Sequence, residues 1–305
     1  MSQRLQMLQV ARLARRTLGE STDLVVSFLQ SLAAPGGGYC NRGGRPDLYY
    51  TSFALDALVA LDRLDASAAA GTHAALTRAY LDSFGDGSAL DLVHRCCLVR
   101  AWASQPRAAL PADRRTALLA GVARHRTADG GYNSRAGAAH GSAYGCFLAV
   151  NACADLGEPI AESDPAAGRI ADCIASLRSA DGGWSNGPGQ PEGSTTATAA
   201  AIAVLRGLGR PVPVDAAEWL LARRHPAGGF TAAPDAPIPD LLSTAVALHA
   251  LDALEAPWRE HRDSMLDFLD TLWTAEGAFH GSWADDEPDA EYTFYGLVAL
   301  GHASV

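Results

Sequence analysis

Two helical patterns alternate along this chain. The first is amphipathic: Asp23-Leu-Val-Val-Ser-Phe-Leu-Gln-Ser-Leu32 and Ala217-Glu-Trp-Leu-Leu-Ala-Arg-Arg224 place apolar residues on one face and polar or charged ones on the other. The second is apolar nearly all round and rich in small residues, as in Tyr50-Thr-Ser-Phe-Ala-Leu-Asp-Ala-Leu-Val-Ala60, Thr195-Thr-Ala-Thr-Ala-Ala-Ala-Ile-Ala-Val204 and Tyr292-Thr-Phe-Tyr-Gly-Leu-Val-Ala-Leu300. A helix without a polar face must be buried, so the amphipathic segments are outer helices and the apolar ones inner. Strand signals are almost absent. Short glycine-aromatic turns separate outer from inner: Gly37-Gly38-Tyr39, the degenerate Phe84-Gly85-Asp86, Gly130-Gly131-Tyr132, Gly182-Gly183-Trp184, Gly228-Gly229-Phe230 and Gly277-Ala278-Phe279. They recur about 45–52 residues apart, a period that signals a repeat array. An open array needs polar-faced end repeats, yet the last inner helix is apolar. The pattern therefore predicts closure: an all-α, α/α toroid (α6/α6 barrel) of six helical-hairpin repeats.

The unbroken period argues for a single domain over 1–305, with repeats about 21–303. Residues 1–20 read as an N-terminal docking helix whose face is Leu5, Leu8, Val10, Leu13 and Leu18. Net charge of −10 argues against nucleic acid and anionic membrane surfaces as partners. No stretch approaches the roughly 20 apolar residues of a membrane span, and no obligatory protein partner is evident. The six cysteines, without CxxC spacing and mostly inside apolar patterns, read as reduced buried thiols of a cytoplasmic protein.

Aligning the inner helices puts Asp47, Asp91, His140, Ser194, Asp240 and Asp289 just before each helix begins. Asp and Ser there accept bonds from free helical N–H groups. Closure would also gather them around one mouth of a central cavity. One turn further on stand Thr51, Thr198, Thr244 and Thr293, and nearby lie Tyr49, Tyr50, Phe53, Tyr144, Tyr292, Phe294 and Tyr295. Hydroxyls can bond back to a turn and aromatics can fill a core. A ring of such residues with few charges also suits an elongated apolar ligand and could stabilise a carbocation.

The repeated turn, together with Asp47-Leu-Tyr-Tyr-Thr-Ser-Phe-Ala-Leu55, Asp240-Leu-Leu-Ser-Thr-Ala-Val-Ala-Leu248 and Asp289-Ala-Glu-Tyr-Thr-Phe-Tyr-Gly-Leu297, resembles the prenyltransferase/squalene-cyclase repeat superfamily, nearest to bacterial proteins similar to protein prenyltransferase β subunits. The resemblance covers roughly residues 20–303. The protein prenyltransferases hold zinc with an Asp, a Cys and a His. The Asp corresponds to Asp240, but Leu242 and Tyr292 stand where the Cys and His belong, and the diphosphate-binding basic residues are missing from 231–239. The cyclase branch implies protonation of an alkene or epoxide by a carboxylic acid inside an aromatic cavity. No DxDD occurs here. Asp285-Asp286-Glu287-Pro288-Asp289 matches the DDxxD pattern of another terpene-enzyme class, but its proline disfavours the shared helix face that pattern needs. Ala139-His140-Gly141-Ser-Ala-Tyr-Gly145 resembles the lanthionine cyclases only locally.

The expected function is metal-independent, acid-initiated cyclisation or isomerisation of an isoprenoid or other long apolar substrate, without a cofactor. Asp240, Asp289, Glu291 and Asp47 are the catalytic candidates. Tyr49, Tyr50, Asp91, His140, Tyr144, Thr198, Thr244, Tyr292, Tyr295 and Trp283 are the candidate substrate-binding residues. A prenyl-transferring or prenyl-binding protein like the β subunits, or a non-catalytic scaffold, are the alternatives. The singly scattered histidines His94, His225, His249 and His280 read as structural or surface groups.

Overall fold

The computed structural model describes residues 2–64, 68–106 and 109–305, with 68–72 described by backbone alone. Six inner helices, α4 (Leu48–Ala60), α6 (Leu92–Ala103), α8 (Ala143–Asp155), α10 (Thr195–Gly207), α12 (Leu241–Ala253) and α14 (Ala290–Ala303), alternate with six outer ones, α3 (Thr22–Ser31), α5 (Ala68–Asp82), α7 (Ala112–Ala123), α9 (Pro165–Ser176), α11 (Asp215–Leu221) and α13 (Arg262–Thr271). Each inner helix packs on the next, and α14 packs back on α4, so the ring is closed. The fold is the expected α/α toroid.

The glycine-aromatic turns make the joints. Tyr39–Cys40 (β1) pairs antiparallel with Pro46–Asp47 (β2), and Phe230–Thr231 (β3) with Pro239–Asp240 (β4), returning the chain to the cap of the inner helix. Gly228 sits at φ +94°, and a Cβ there would lie 1.9 Å from Ser264 O on the next repeat's outer helix. At Gly277 a Cβ would fall 2.5 Å from Leu24 on α3, so the last turn seats against the first outer helix and the outer ring also closes.

The threonines one turn into the helices secure these joints. Thr51, Thr198 and Thr244 accept from the backbone N–H of Tyr39, Trp184 and Phe230, each at 2.9 Å, and Thr293 accepts from Phe279 at 3.3 Å. All four threonines are fully buried. In the third repeat Cys146 Sγ takes the same position, 3.3 Å from Tyr132 N. Each bond satisfies a buried donor that would otherwise cost about 1–3 kcal/mol.

Two sequence expectations need correction. The third cap is Ser142, not His140: Ser142 Oγ accepts from Gly145 N at 3.0 Å, while His140 lies two residues earlier on the exposed loop, 3.7 Å from Asp129. Ser142 follows the turn aromatic Tyr132 at the same spacing as Ser194 follows Trp184, Asp240 follows Phe230 and Asp289 follows Phe279, whereas His140 matches the shorter spacing from Tyr39 to Asp47. The N-terminal segment is broken into α1 (Gln3–Ala11) and α2 (Arg15–Leu18), and α1 buries Arg4, Leu8 and Ala11 rather than a leucine face, leaving Leu5 45% exposed.

Arg4 anchors α1 to the ring. Its Nε donates to Asp56 Oδ1 at 2.8 Å and its Nη2 to Ser104 Oγ at 2.7 Å, and Asp56, fully buried on α4, also receives Arg100 Nε from α6. Gln3 N donates to Asn151 Oδ1 on α8. These partners lie in the C-terminal halves of the inner helices or just beyond, so α1 covers the end of the ring opposite the caps.

Candidate active site

The ring encloses a cavity of about 840 Å³ running the length of α10, from Thr196 to Gly207. This is within the ~300–1,000 Å³ of small-molecule pockets. One wall is alanine-rich, from α10 and α12; aromatic residues Tyr49, Tyr144, Phe147 and Tyr295 form the other. Gln3, Gln6, Asn151 and Arg206 give the α1 end a polar rim.

Glu291 lines this cavity from the first turn of α14. Burial is the main reason its carboxyl is pushed up to about 7, with the nearby Asp289 charge adding to the rise. Tyr49 Oη donates to Glu291 Oε1 at 2.6 Å, and Arg100 and Arg42 also favour the carboxylate, without overcoming burial. The result is a carboxyl group that keeps its proton in part at neutral pH, beside aromatic surface. Burial likewise raises the phenols of Tyr49, Tyr144 and Tyr295, which stay neutral.

The other carboxylates serve as caps. Asp289 Oδ1 accepts from Tyr292 N and its Oδ2 from Arg42 Nε, both at 2.8 Å. Burial raises this group too, yet both oxygens are held as acceptors, which favours the carboxylate. Asp240, also raised by burial, caps α12 through Ser243 N at 2.7 Å; Asp47 caps α4 through Tyr49 N at 2.7 Å. None of the three lines the cavity. Asp91 caps α6 and bonds His94 on the surface.

The substrate-binding candidates divide in the same way. Tyr49, Tyr144 and Tyr295 face the cavity. Thr198 and Thr244 are buried in the joints. Tyr50 packs edge-on against Tyr49 behind the wall, and Tyr292 lies under Arg42, 5.5 Å from the guanidinium, with its ring against Gly281. Trp283 is 43% exposed, packs on Phe268 and donates to Thr271 Oγ1, outside the ring. Helical phase separates these classes. Glu291 and Tyr295, four residues apart, share the inward stripe of α14, whereas Tyr292 and Thr293 point elsewhere.

Sequence reasoning missed Arg100, Phe147 and His249. Arg100 lines the cavity while stacking on Phe53 at 4.3 Å and Phe294 at 5.0 Å. His249 reads in the sequence as a structural histidine, but it lines the cavity from α12. It stands in helical phase with Leu242 and Val246, and only the closed ring shows that this stripe of α12 faces the cavity.

The zinc set of the protein prenyltransferases does not fit here. Leu242 presents an apolar side chain to the cavity, Tyr292 is turned against Gly281, and Asp240 is used as a cap. Among the described residues no group of three His, Cys, Asp or Glu side chains is placed to hold a metal ion.

The prenyltransferase alpha-alpha toroid domain matches residues 2–157, 136–216 and 210–303, and the chain belongs to that family. A 118-residue stretch is 33% identical to drimenyl diphosphate synthase of Streptomyces showdoensis; it covers 37% of this chain and only 22% of that enzyme. The fold is similar to the type II terpene cyclase MstE from Scytonema: the apo structure superposes with a TM-score of 0.62 at 15% identity, covering 95% of this chain and 98% of that one. A variant of that enzyme in complex with its substrate, geranylgeranyl dihydroxybenzoate, superposes with a TM-score of 0.64, again at 15% identity and with the same coverage of both chains. Among the described residues no helix is long and apolar enough to cross a membrane.

Proposed function

We propose that this protein is a terpene cyclase of the acid-initiated kind, with Glu291 as the proton donor. The observation that carries the reading is a buried carboxyl, its proton affinity raised by burial, that lines an aromatic cavity whose other charged side chains are Arg100 and, at the rim, Arg206. Glu291 gives its proton to the terminal alkene carbon of a folded polyene, and the adjacent carbon becomes a tertiary cation. A neighbouring alkene attacks that cation and closes a ring. Loss of a proton from the final cation forms a new alkene, so the product is an isomer of the substrate and no electrons are exchanged. Tyr49, Tyr144, Phe147 and Tyr295 offer π faces to the migrating charge, worth about 2 kcal/mol or more per well-placed desolvated contact.

The polar rim at the α1 end suits the substrate's head group, with the apolar tail directed toward Glu291. Arg206 there supplies a charge that matches a prenyl diphosphate, and the relative whose name contains such a group supports that choice. A β-subunit-like prenyl transfer is less favoured, because the zinc-ligand positions carry Leu242 and Tyr292.

All-trans C15 and C20 prenyl diphosphates, incubated with the protein in D₂O, should yield cyclic isomers carrying one deuterium on the carbon that Glu291 protonates. Product without deuterium, or transfer of the prenyl group to an acceptor, would overturn the assignment.

A further inference from the structure

Two histidines and an aspartate form a chain leading out of the cavity. His249 Nδ1 lies 3.0 Å from His302 Nε2, and His302 Nδ1 lies 2.5 Å from Asp252 Oδ2. Asp252 is further held by Trp258 Nε1 at 2.7 Å and by Arg259 at 2.7 and 3.2 Å. Burial raises its carboxyl, but the bonds from His302, Trp258 and Arg259 outweigh it and keep the group depressed to about 2, so it is an acceptor at neutral pH. The donor order follows. With His302 donating through Nδ1–H to Asp252 and accepting at Nε2, His249 donates through Nδ1–H. His249 Nε2 is left as a bare lone pair. That atom is buried without a hydrogen-bond partner, on a side chain that lines the cavity and belongs to a residue only 8% exposed.

An unpartnered buried nitrogen is costly unless something uses it. Resting on the cyclase reading above, we infer that His249 is the catalytic base that ends the reaction, and that His302 and Asp252 are positioning residues that fix its tautomer and stabilise its charge once it is protonated. The final cation loses a hydrogen from the carbon next to the charge, and that C–H electron pair becomes the product alkene. The proton goes to His249 Nε2, and the positive charge is shared through Nδ1–H with His302 and the Asp252 carboxylate, which stays ionised. When the product leaves, water entering the cavity takes the proton from His249 Nε2. One proton enters at Glu291 and one leaves here, so the balance closes without a co-reactant.

The two ends are suited to opposite tasks. Burial holds His249 down to about 3 while it holds Glu291 up to about 7, so both groups are neutral together, one with a proton to give and one without. A weak base suffices against a carbocation. Glu291 stands two residues past its cap and His249 nine past its own, on adjacent helices, which separates them by about 10 Å along the ring axis.

The test uses the full chain with the C15 and C20 prenyl diphosphates. His249→Phe should still consume substrate by the Glu291 step, about 10²-fold more slowly, and release isomeric alkenes or a water-captured alcohol instead of the wild-type product. His302→Phe should shift products the same way, whereas His302→Gln, whose amide oxygen can accept from His249 Nδ1–H, should restore the wild-type product. An unchanged product and rate in His249→Phe, with Glu291→Gln inactive, would overturn the inference while leaving the cyclase reading intact. If wild type consumes neither substrate, the cyclase reading fails, and ¹⁵N NMR of the histidine rings still decides the tautomer: a pyridine-type Nε2 at His249 near pH 7 is expected, and a protonated Nε2 overturns the inference.

Discussion

Tyr49 Oη donates to Glu291 Oε1 at 2.6 Å, joining the first inner helix to the last across the seam of the ring. The bond stabilises the carboxylate, so it partly offsets the burial that keeps Glu291 protonated. Tyr49→Phe therefore raises the Glu291 pKa further. The alkaline limb of kcat/KM should move to higher pH, as a pH–rate profile of the two proteins would register.

With Glu291 as the proposed donor, that limb should fall in wild type as pH rises through about 7, where its carboxyl loses the proton. Asp289, Arg42, Arg100 and Tyr49 set its position. Stability follows the same sign. The folded pKa lies above the unfolded value of 4.5, so this stabilisation is complete below about pH 4.5 and is lost as pH rises through about 7. Melting temperatures across that window should converge with those of Glu291→Gln at low pH and fall relative to them at high pH.

Glu291→Gln should lower kcat by about 10²–10⁴-fold, the usual scale for removing a general acid. Substrate binding should be preserved, since the amide keeps the shape and still accepts from Tyr49. The paired caps act differently: Asp240→Asn retains an N-capping side chain and should keep most of its turnover. A steady-state assay of both variants decides between donor and cap.

Thr244→Val removes the acceptor for Phe230 N without changing side-chain volume. It should cost about 1–3 kcal/mol of stability, visible by denaturant titration, with product identity unaltered because the hydroxyl lies outside the cavity.

Asp56→Asn leaves Arg4 and Arg100 without their shared counter-charge in a buried site. A loss of about 3–5 kcal/mol is expected for breaking such a pair, and with it the docking of α1. Proteolysis near the N-terminus, compared with wild type, checks this directly.

Arg206→Ala should raise KM for a C15 prenyl diphosphate more than for the corresponding alcohol, with kcat little changed. Equal effects on both would remove Arg206 from head-group recognition.

Architecture was readable because burial and turn chemistry repeat. The all-round apolarity of 195–204 and the positive-φ glycine at each turn are local signals, and closure followed from them. The site was less legible, because which side of a fully apolar helix faces the cavity has no local signature. Thr198 and Thr244 look like lining residues until their hydroxyls are seen holding Trp184 and Phe230. Asp289 and Glu291 differ by two positions and end up on different faces, one held by Arg42 and one open to the cavity. His249 becomes interpretable only when His302, 53 residues away, is brought beside it.

The seam between α4 and α14 also sets the order in which the protein can become reactive. Glu291 and His302 both belong to α14, which closes the ring against α4. Until α14 docks, the cavity lacks the wall that Glu291 and Tyr295 give it. On the proposed cyclase reading, the chain becomes competent to protonate a polyene only when the circle is complete.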